Sequence, residues 1–349
     1  METQEKLVKI DLIDKKILAV LLRNGRINTK ELARLIKHNY PTVRNRIGRL
    51  IDSKVITHFY PVLQVPGIGC RRFMSVYVSL KTLTLEKQEK ILKELMKLPL
   101  LIEILELQGK WNFSILLVSN YLKESYHTLN KIQEICAEHL NNFTVLQTYL
   151  ISPLNRKFFL DEEYDIELDK IKTGYQPLIQ KVPMIHLEKP VKLNKEDMKL
   201  LNYLKLNARD SFEEIKEAIG IEQAVAHYKI KKYIQTNLIK YFTIEVDNEK
   251  LGYSKHVLFL HFRGSEEGKN KFVQEMYKHK KAYHLFQYLD YWEIAVTFCV
   301  KSQQEINQIV DNILKKYGEY IKNQELLLVK KIHKSHPYPN IEEVYPTKN

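Results

Sequence analysis

Residues 11–56 read DLIDKKILAVLLRNGRINTKELARLIKHNYPTVRNRIGRLIDSKVI, and this stretch decides the fold. It returns 183 positions later as residues 194–239, NKEDMKLLNYLKLNARDSFEEIKEAIGIEQAVAHYKIKKYIQTNLI. The match runs without a gap from about Asp14 to Leu80, which means that one structural unit is used twice. The identical pairs are Asp14/Asp197, Lys16/Lys199, Leu18/Leu201, Leu21/Leu204, Asn24/Asn207, Arg26/Arg209, Glu31/Glu214, Ile36/Ile219, Ile47/Ile230, Ile51/Ile234, Ile56/Ile239, Phe59/Phe242 and Gly69/Gly252.

Each copy of the stretch predicts three short helices. In the first copy, residues 11–24 carry apolar side chains at helical spacing. Asn28 and Glu31 have the spacing of a capping box at the start of the second helix, and Pro41 suits the first turn of a third. Residues 55–62 then alternate like a strand. Three helices followed by a strand are typical of a winged helix-turn-helix.

The segment after each such unit changes its period. It predicts a strand, a helix, two strands, a helix and a strand, which is the order of a ferredoxin-like domain. In the first half these elements cover 73–80, 84–97, 101–108, 111–119, 121–141 and 143–151, and residues 255–333 repeat the order. We therefore predict an α+β fold in which two winged helix-turn-helix domains alternate with two ferredoxin-like βαββαβ domains.

Four domains, a linker and a tail follow from these patterns. The predicted bounds are 1–66 and 191–250 for the winged helix-turn-helix domains, 67–155 and 251–335 for the ferredoxin-like domains, 156–190 for the linker and 336–349 for the tail. The linker region is rich in proline and acidic residues and is longer than an ordinary loop. It forms either an irregular connection or one with a short helix over 165–173. The tail is predicted to be mobile.

The formal charge of +13 is concentrated near the start of the chain. Residues 1–60 contain 13 Lys and Arg against 6 Asp and Glu, whereas residues 191–250 contain 11 against 10. A basic excess favours polyanionic partners such as nucleic acid. The first copy of the repeat is therefore the better candidate for binding one.

Cysteine usage and hydropathy indicate a cytoplasmic protein. Cys70, Cys136 and Cys299 lie singly in apolar runs, so we expect buried thiols and neither a disulfide framework nor a thiolate metal site. The sequence contains no run of about 18 apolar residues that would suit a membrane span. The polar N-terminus does not resemble a signal peptide.

The third predicted helix of the first copy carries candidate DNA contacts. Its apolar residues Val43, Ile47, Leu50 and Ile51 are predicted to be buried. The other face is basic and polar, and the candidate contacts are Tyr40, Thr42, Arg44, Asn45, Arg46 and Arg49. In helix-turn-helix proteins this helix enters the major groove, where arginine suits phosphates and guanine and Asn suits adenine. The alternative is a solvated basic face on a surface helix.

The corresponding helix of the second copy is basic but contains no arginine. Its candidate contacts are Val225, His227, Tyr228, Lys229, Lys231 and Lys232. Lysine is a point charge without the planar fork of arginine, so this helix is predicted to contact phosphates more than bases. A surface helix with a solvated face is again the alternative.

Several segments of the first copy resemble a known family. DLIDKKIL at 11–18, NGRI at 24–27, KELA at 30–33, TVRNRI at 42–47 and LIDSKVI at 50–56 are similar to the leucine-responsive (Lrp/AsnC, or feast/famine) transcription regulators. The βαββαβ part resembles that family's ligand-sensing and oligomerisation domain. The resemblance implies a sequence-specific regulator that binds double-stranded DNA, here tandemly duplicated, with the first helix-turn-helix dominant in base reading.

The resemblance also implies an effector site for an amino acid or another small molecule. In the family this site involves the turn between the second and third strands of the ferredoxin-like domain, which carries Gly, an aromatic residue and an acid. The matching residues here are Gly109, Trp111 and Asn112, and in the second half Asp290, Trp292 and Glu293. Packing in a core or interface is the alternative role for both tryptophans.

Pairing of domains is a further implication of the resemblance, because the family dimerises by stacking its ferredoxin-like sheets face to face. A fused chain could pair its own halves as a pseudo-dimer with two different DNA-reading heads. Two chains could instead pair as a homo-oligomer. The sequence leaves both arrangements open.

Two other functions are compatible with the sequence. Siroheme decarboxylases resemble this family, occur as paired or fused halves and need His, Tyr and Arg side chains around a large acidic tetrapyrrole. The candidates here are Arg71, Arg72, His256, His261 and His284. An architectural protein that binds DNA with little sequence preference would also be basic. Motifs of phosphate loops, zinc proteases and serine hydrolases are absent from the sequence, and we expect no catalysis, no cofactor and no metal site.

Overall fold

A computed structural model describes residues 7–154, 156, 158–160, 191–264 and 266–345. The short helix considered over 165–173 lies outside these residues. Within them, every helix is too short or too polar to cross a bilayer. The three cysteines are buried free thiols, as predicted.

The first half contains the predicted order of elements. They are α1 Leu12–Arg23, α2 Thr29–Leu35, α3 Tyr40–Asp52, β1 Ile56–Leu63, β2 Arg72–Leu80, α4 Leu85–Leu95, β3 Leu101–Gln108, β4 Phe113–Ser119, α5 Leu122–Cys136 and β5 Leu140–Pro153. A capping box starts α1, because the side chains of Asp11 and Asp14 each accept the other's backbone N–H. Asn28 caps α2 by accepting the N–H of Lys30, without the reciprocal contact predicted from Glu31.

The second half repeats the order and adds a short terminal helix. Its elements are α6 Lys195–Asn207, α7 Phe212–Ile219, α8 Gln223–Gln235, β6 Ile239–Val246, β7 Ser254–Phe262, α9 Glu266–Met276, β8 Ala282–Tyr288, β9 Ile294–Val300, α10 Gln303–Tyr317, β10 Ile321–Ser335 and α11 Ile341–Val344. Ser211 and Glu214 form a capping box at the start of α7. Gly220 ends that helix at a φ of +66°, in the left-handed region that favours glycine. The predicted α+β fold class is confirmed.

The strands of the two ferredoxin-like domains form one closed barrel in the order β10-β3-β4-β2-β5-β8-β9-β7. Antiparallel pairing of β5 with β8 and of β10 with β3 joins the two sheets at both edges. The two sheets thus face each other across a shared interior and are also joined at their edges, which the resemblance did not imply. Joining edges pairs the backbone groups that two open sheets would leave exposed. Inside the barrel, Tyr77, Trp111 and Phe259 belong to one buried cluster drawn from both halves.

The wing strands of the two helix-turn-helix domains form a second, two-stranded sheet. β1 and β6 pair antiparallel, and Tyr60 lies opposite Thr243. Thr243 is also the repeat equivalent of Tyr60, since the two are 183 positions apart. The pseudo-two-fold axis of the duplication therefore passes between these residues. The two halves pair within one chain, as a pseudo-dimer.

Two arginines cross this axis in opposite directions. Arg26 donates to the carbonyl oxygens of Ala208 and Asp210, while its repeat equivalent Arg209 donates to the carbonyl of Gly25 at 2.7 Å. Arg26 also lies 5.5 Å from the ring centroid of Phe242, and Arg209 lies 5.3 Å from that of Phe59, its equivalent. Burial, with repulsion from Arg26, lowers the pKa of Arg209 to about 10, so the Arg209 guanidinium stays charged at neutral pH.

Residues 336–345, which follow β10, pack against the second head, so the mobility predicted for the tail is wrong for these residues. Tyr338 and Ile341 are fully buried. The Tyr338 hydroxyl donates to the carbonyl of Leu201 at 2.6 Å, and the Ile341 N–H donates to Asn202. The tail is held because its apolar residues fill the surface of α6, which is a tertiary contact that composition does not reveal.

Replacing either Arg26 or Arg209 with Ala should lower the free energy of unfolding by about 2 kcal/mol, because each loses charge-assisted hydrogen bonds and ring contacts across the axis. Urea unfolding followed by circular dichroism measures the change. Arg34, which is exposed on α2, supplies the control, and its Ala variant should stay within about 0.5 kcal/mol of the parent. Equal stability of the three variants would contradict the role of the crossed arginines.

Candidate functional site

The third helix of the first head, α3, presents a basic polar surface. Val43, Ile47 and Leu50 are buried in the head, as their spacing predicts. Arg44 and Asn45 are exposed on the same helix, and in the described part of the chain no residue hydrogen-bonds or ion-pairs with their side chains. Both side chains are therefore available to an external partner.

The ends of the same helix complete this surface. Tyr40 is 37% exposed, and Asn39 caps the helix by accepting the N–H of Thr42 at 2.9 Å. Gly48 has open space around the position of a Cβ. Ile51 is 41% exposed, which corrects its predicted burial. It lies about 80° around the helix from Val43 and so falls beyond the buried stripe.

Two arginines of α3 already have partners within the head. Arg46 donates to Asp11 at 2.5 Å and to Asp14 at 3.2 Å, and Arg49 also pairs with Asp14. Although burial opposes it, the hydrogen bond from Arg46 lowers the pKa of Asp11 to about 2. The Arg46 side chain is 26% exposed and that of Arg49 is 49% exposed. Arg46 thus holds α3 to the start of α1, while Arg49 keeps half of its surface in solvent.

The second head repeats this ion pair with different residues. Lys229, the equivalent of Arg46, is buried and lies 2.7 Å from Asp197, the equivalent of Asp14. The Tyr233 hydroxyl donates to the same carboxylate at 2.6 Å. Lys229 is therefore held inside its own domain and does not belong to the exposed surface on which it was predicted. That surface of α8 consists of Val225, His227, Tyr228, Lys231 and Lys232.

The turns between the second and third strands of each ferredoxin-like domain are tied into the barrel. The Asn112 side chain accepts the N–H of Leu80 at 2.7 Å, and Glu293, its equivalent, accepts that of Phe262 at 2.7 Å. Asn112 and Glu293 thus make the same type of hydrogen bond, from a backbone N–H to the side chain, in the two halves. Trp111 is buried in the barrel.

The other residues of these turns also make intramolecular contacts. Trp292 packs partly buried against the barrel cluster, and Asp290 accepts the N–H of Gln147 at 2.5 Å. Gly109 has a φ of +136°, and a Cβ at this position would meet Leu327 at 2.7 Å. Every predicted effector-site residue therefore has a structural role in the described chain.

A cleft lies at the junction between the wing sheet and the barrel. We call it the junction cleft; it encloses about 910 Å³ of space between protein atoms, part of it open to solvent. Its lining combines apolar and aromatic side chains with a few charged ones. Phe73, Tyr241 and Phe286 are among the former, and Glu103 and Lys255 among the latter.

Arg156 is at the centre of a hydrogen-bonded cluster in this cleft. It donates to the Tyr60 hydroxyl at 2.8 Å and to Nε2 of His284 at 2.8 Å. The Glu245 carboxylate lies 3.6 Å from the guanidinium and accepts from the hydroxyls of Tyr60 and Tyr283 at 3.3 and 3.0 Å. The cluster therefore joins β1 and β6 of the heads to β8 of the barrel.

Burial sets the protonation states in this cluster. It raises the pKa values of the Tyr60 and Tyr283 hydroxyls and lowers the pKa of His284, to which the charge of Arg156 also contributes. Burial likewise raises the pKa of Glu103 to about 7. The Glu245 carboxyl, although buried, keeps a lowered pKa because Arg156 and Lys255 stabilise its charge. At neutral pH the cluster thus combines charged Arg156 and Glu245 with neutral tyrosines and a neutral histidine.

Of the five residues considered for a tetrapyrrole site, one lines the junction cleft, namely His284. Arg71 and Arg72 are exposed. His256 is buried beside Ser254, at 3.1 Å, and His261 stacks on the ring of Tyr291. Sequence reasoning missed Arg156, which lies in a segment without periodicity.

Comparison with known proteins identifies the heads. Residues 10–57 match the family model of winged helix-turn-helix DNA-binding domains. An HTH-type transcriptional regulator of Methanocaldococcus jannaschii is 30% identical over 103 residues, which are 30% of this chain and 68% of the relative. The chain belongs to the Lrp/AsnC family of HTH-type transcriptional regulators. Another such regulator, from Pyrococcus furiosus, is 26% identical over 134 residues, 38% of this chain and 77% of the relative.

This Lrp/AsnC protein is a DNA-binding regulator by family, but its complete fold is shared with an enzyme. The siroheme decarboxylase NirDL matches with a TM-score of 0.59 and 11% identity, covering 93% of this chain and 92% of that one. Its complex with an iron-uroporphyrin III analogue gives a TM-score of 0.60 at 12% identity, covering 95% of both chains. The prediction that the chain is not an enzyme is corrected on this ground, because the same fused architecture carries out catalysis elsewhere.

Replacing Lys229 with Met should lower the free energy of unfolding by about 2 kcal/mol, because the Asp197 carboxylate loses its charged partner. The loss stays below that of a fully buried pair, since Tyr233 still donates to Asp197. The matched control is Lys231→Met on the exposed surface of the same helix, which should change stability by less than about 0.5 kcal/mol. Thermal unfolding compares the two, and equal midpoints would contradict a structural role for Lys229.

Proposed function

We propose that the two heads of this regulator read DNA unequally, with α3 of the first head contacting base edges and α8 of the second contacting phosphates. The observation that carries the proposal is the exposure of Arg44 and Asn45 without partners in the described chain. An arginine binds guanine edges through two donors, and an asparagine binds adenine in the same bidentate way. The second head offers Lys231 and Lys232, which suit phosphate oxygens as point charges.

Charge and internal pairing support the same proposal. The first head carries a net charge of +7 over residues 1–60, from 13 basic and 6 acidic residues, against +1 over residues 191–250, from 11 and 10. The wing sheet and the crossed arginines fix one head relative to the other. Two unequal heads in a fixed arrangement favour an operator whose half-sites differ in sequence.

Two matched triple variants test unequal reading. In the first-head variant, Ala replaces Arg44, Asn45 and Arg49. In the second-head variant, Ala replaces His227, Lys231 and Lys232. Each lost base contact costs about 1–3 kcal/mol, so the first-head variant should bind a selected genomic site at least about a hundredfold more weakly and lose its preference over a mixed-sequence duplex.

The second-head variant should instead weaken binding to both duplexes by a similar factor and flatten the salt dependence, because it removes phosphate contacts. Fluorescence anisotropy over a salt series measures both effects. Equal losses of selectivity in the two variants would contradict the proposal. Steep salt dependence without any selectivity in the parent protein would favour an architectural DNA-binding role instead.

A second candidate function is catalysis on an acidic tetrapyrrole, and the cluster around Arg156 favours it. The two similar structures are of a siroheme decarboxylase, one of them in complex with an iron-uroporphyrin III analogue. Such a substrate needs Arg, Tyr and His side chains around its carboxylates, and Tyr60, Arg156, Tyr283 and His284 meet in the junction cleft. Arg156 suits a substrate carboxylate because its fork donates two parallel hydrogen bonds.

Decarboxylation of an acetate side chain would require one of these residues to supply a proton. The bond to the carboxylate breaks, CO₂ leaves, and the carbon that keeps the electron pair takes up one proton. Tyr60 and Tyr283 retain their hydroxyl protons at neutral pH because burial raises their pKa values, so either can supply that proton. The tyrosinate that remains recovers its proton from solvent, so the net reaction releases CO₂ and consumes one proton.

Titration with iron uroporphyrin III tests the second function. The purified protein should bind one equivalent per chain with a shift of the Soret band, and Arg156→Gln should weaken that binding at least tenfold because the carboxylate loses its partner. Arg72→Gln changes an exposed charge outside the cleft and serves as the control. Absence of saturable binding, or an equal effect of the two variants, would exclude the junction cleft as a tetrapyrrole site.

A further inference from the structure

We propose that the junction cleft is a regulatory site for an amphipathic carboxylic acid, with an aromatic or apolar body and one carboxylate, and that filling it weakens DNA binding by the heads. The inference rests on the proposed DNA-reading function and adds a small-molecule effector that controls it. It places the effector between the heads and the barrel, away from the strand turns where Asn112 and Glu293 are occupied by backbone contacts.

The lining of the cleft suits a ligand of this class. Aromatic and aliphatic side chains form one part of the wall, among them Val62, Phe73 and Phe286. Arg156 and Lys255 supply positive charge beside them. Pockets that combine an apolar wall with a few fixed polar groups are the usual form of small-molecule sites.

Arg156 is prepared for a carboxylate that it does not hold. Its contacts to Tyr60 and His284 are with neutral groups, and Glu245 stays at 3.6 Å, beyond the distance of a charge-assisted hydrogen bond. Its Nε is buried and has no hydrogen-bond partner among the described residues. The residue also has a φ of +50°, a backbone conformation that non-glycine residues rarely adopt and that recurs at ligand clamps.

The cleft is open to a ligand from outside. A second cleft, of about 1040 Å³ including open solvent, shares His58, Glu245, Lys255 and Ser335 with it. Lysines and acids both line this entrance, with Lys331 and Lys334 opposed in charge by Asp247 and Glu249. The entrance therefore has no strong charge preference, and selection for an acid depends on Arg156.

The same contacts connect the cleft to the DNA-reading heads. Tyr60 belongs to the wing strand of the first head and Glu245 to that of the second, and the two wing strands pair with each other. Arg156, His284 and Tyr283 hold both of these residues against the barrel. A ligand carboxylate that occupies the donors of Arg156 releases the Tyr60 hydroxyl and leaves Glu245 held to the barrel by Tyr283 alone, so the attachment of the wing sheet to the barrel loosens. A ligand that favours the released arrangement must weaken DNA binding.

Fluorescence anisotropy of a labelled selected duplex tests this coupling with 2-naphthoate as the probe and 2-naphthylmethanol as its neutral match. Saturating 2-naphthoate should raise the Kd for DNA at least fivefold, whereas the alcohol should leave it unchanged. Coupling is reciprocal, so DNA must weaken 2-naphthoate binding by the same factor. Binding of 2-naphthoate, followed by its own fluorescence, is measured with and without DNA.

Three variants of the full chain assign the effect to the cluster. Arg156→Lys keeps the charge but loses the fork, and should bind 2-naphthoate at least tenfold more weakly. Tyr60→Phe keeps the ring and removes the hydroxyl that links Arg156 to the wing. This variant should still bind 2-naphthoate, but saturating 2-naphthoate should change its log Kd for DNA by less than half as much as in the parent protein. Arg72→Gln, on the exposed surface, should behave like the parent.

The possible outcomes distinguish a failure of the regulatory site from a failure of the proposed DNA-reading function. Tight DNA binding with no 2-naphthoate binding overturns the site, and 2-naphthoate binding with an unchanged or tighter DNA affinity overturns the regulation. Failure to bind DNA at low salt refutes the reading function and the regulation that rests on it. In that case 2-naphthoate binding without DNA, lost in Arg156→Lys, would still establish the carboxylate site.

Discussion

The antiparallel pairing of β1 with β6, reinforced by Arg26 and Arg209, is the constraint on which the rest of the structure depends. Each arginine reaches the carbonyls that follow the first helix of the other half, so neither head can move without breaking contacts in both. Edge pairing between the halves also closes the barrel, so the two halves are joined both in the wing sheet and in the barrel. These two junctions fix the positions of the DNA-reading surfaces and of the junction cleft.

Duplication preserved interactions more strictly than it preserved residues. Arg46 with Asp14 and Lys229 with Asp197 attach the third helix to the first in the two heads, although arginine changed to lysine. Asn112 and Glu293 likewise accept the same type of backbone N–H in the two halves of the barrel, although one is an amide and the other a carboxylic acid. Positions that serve folding can therefore diverge as long as the contact is kept, which is why a charge at such a position is weak evidence for binding DNA.

Local signals in the sequence predict most of the fold and less of the sites. Helical spacing and capping residues give the helices, and the 183-residue repeat gives the domain order. Closure of the barrel depends on edges that meet only in three dimensions, and the burial of Lys229 depends on Asp197, 32 positions away. Arg156 lies in an aperiodic segment and meets Tyr60 and His284 across 96 and 128 positions, so no local pattern identifies it.

Divergence of the two halves makes the two sides of the wing-sheet axis different. The pseudo-two-fold axis runs between Tyr60 and Thr243, and the flanking cross-strand pairs are His58 with Glu245 on one side and Val62 with Tyr241 on the other. These two pairs are equivalent under the repeat, so a dimer of identical chains would carry the same pair on both sides of the axis. In this chain one side is ionisable and the other is apolar and aromatic. The amphipathic ligand that we propose would use that division, with its carboxylate toward Arg156 and its body toward the apolar wall.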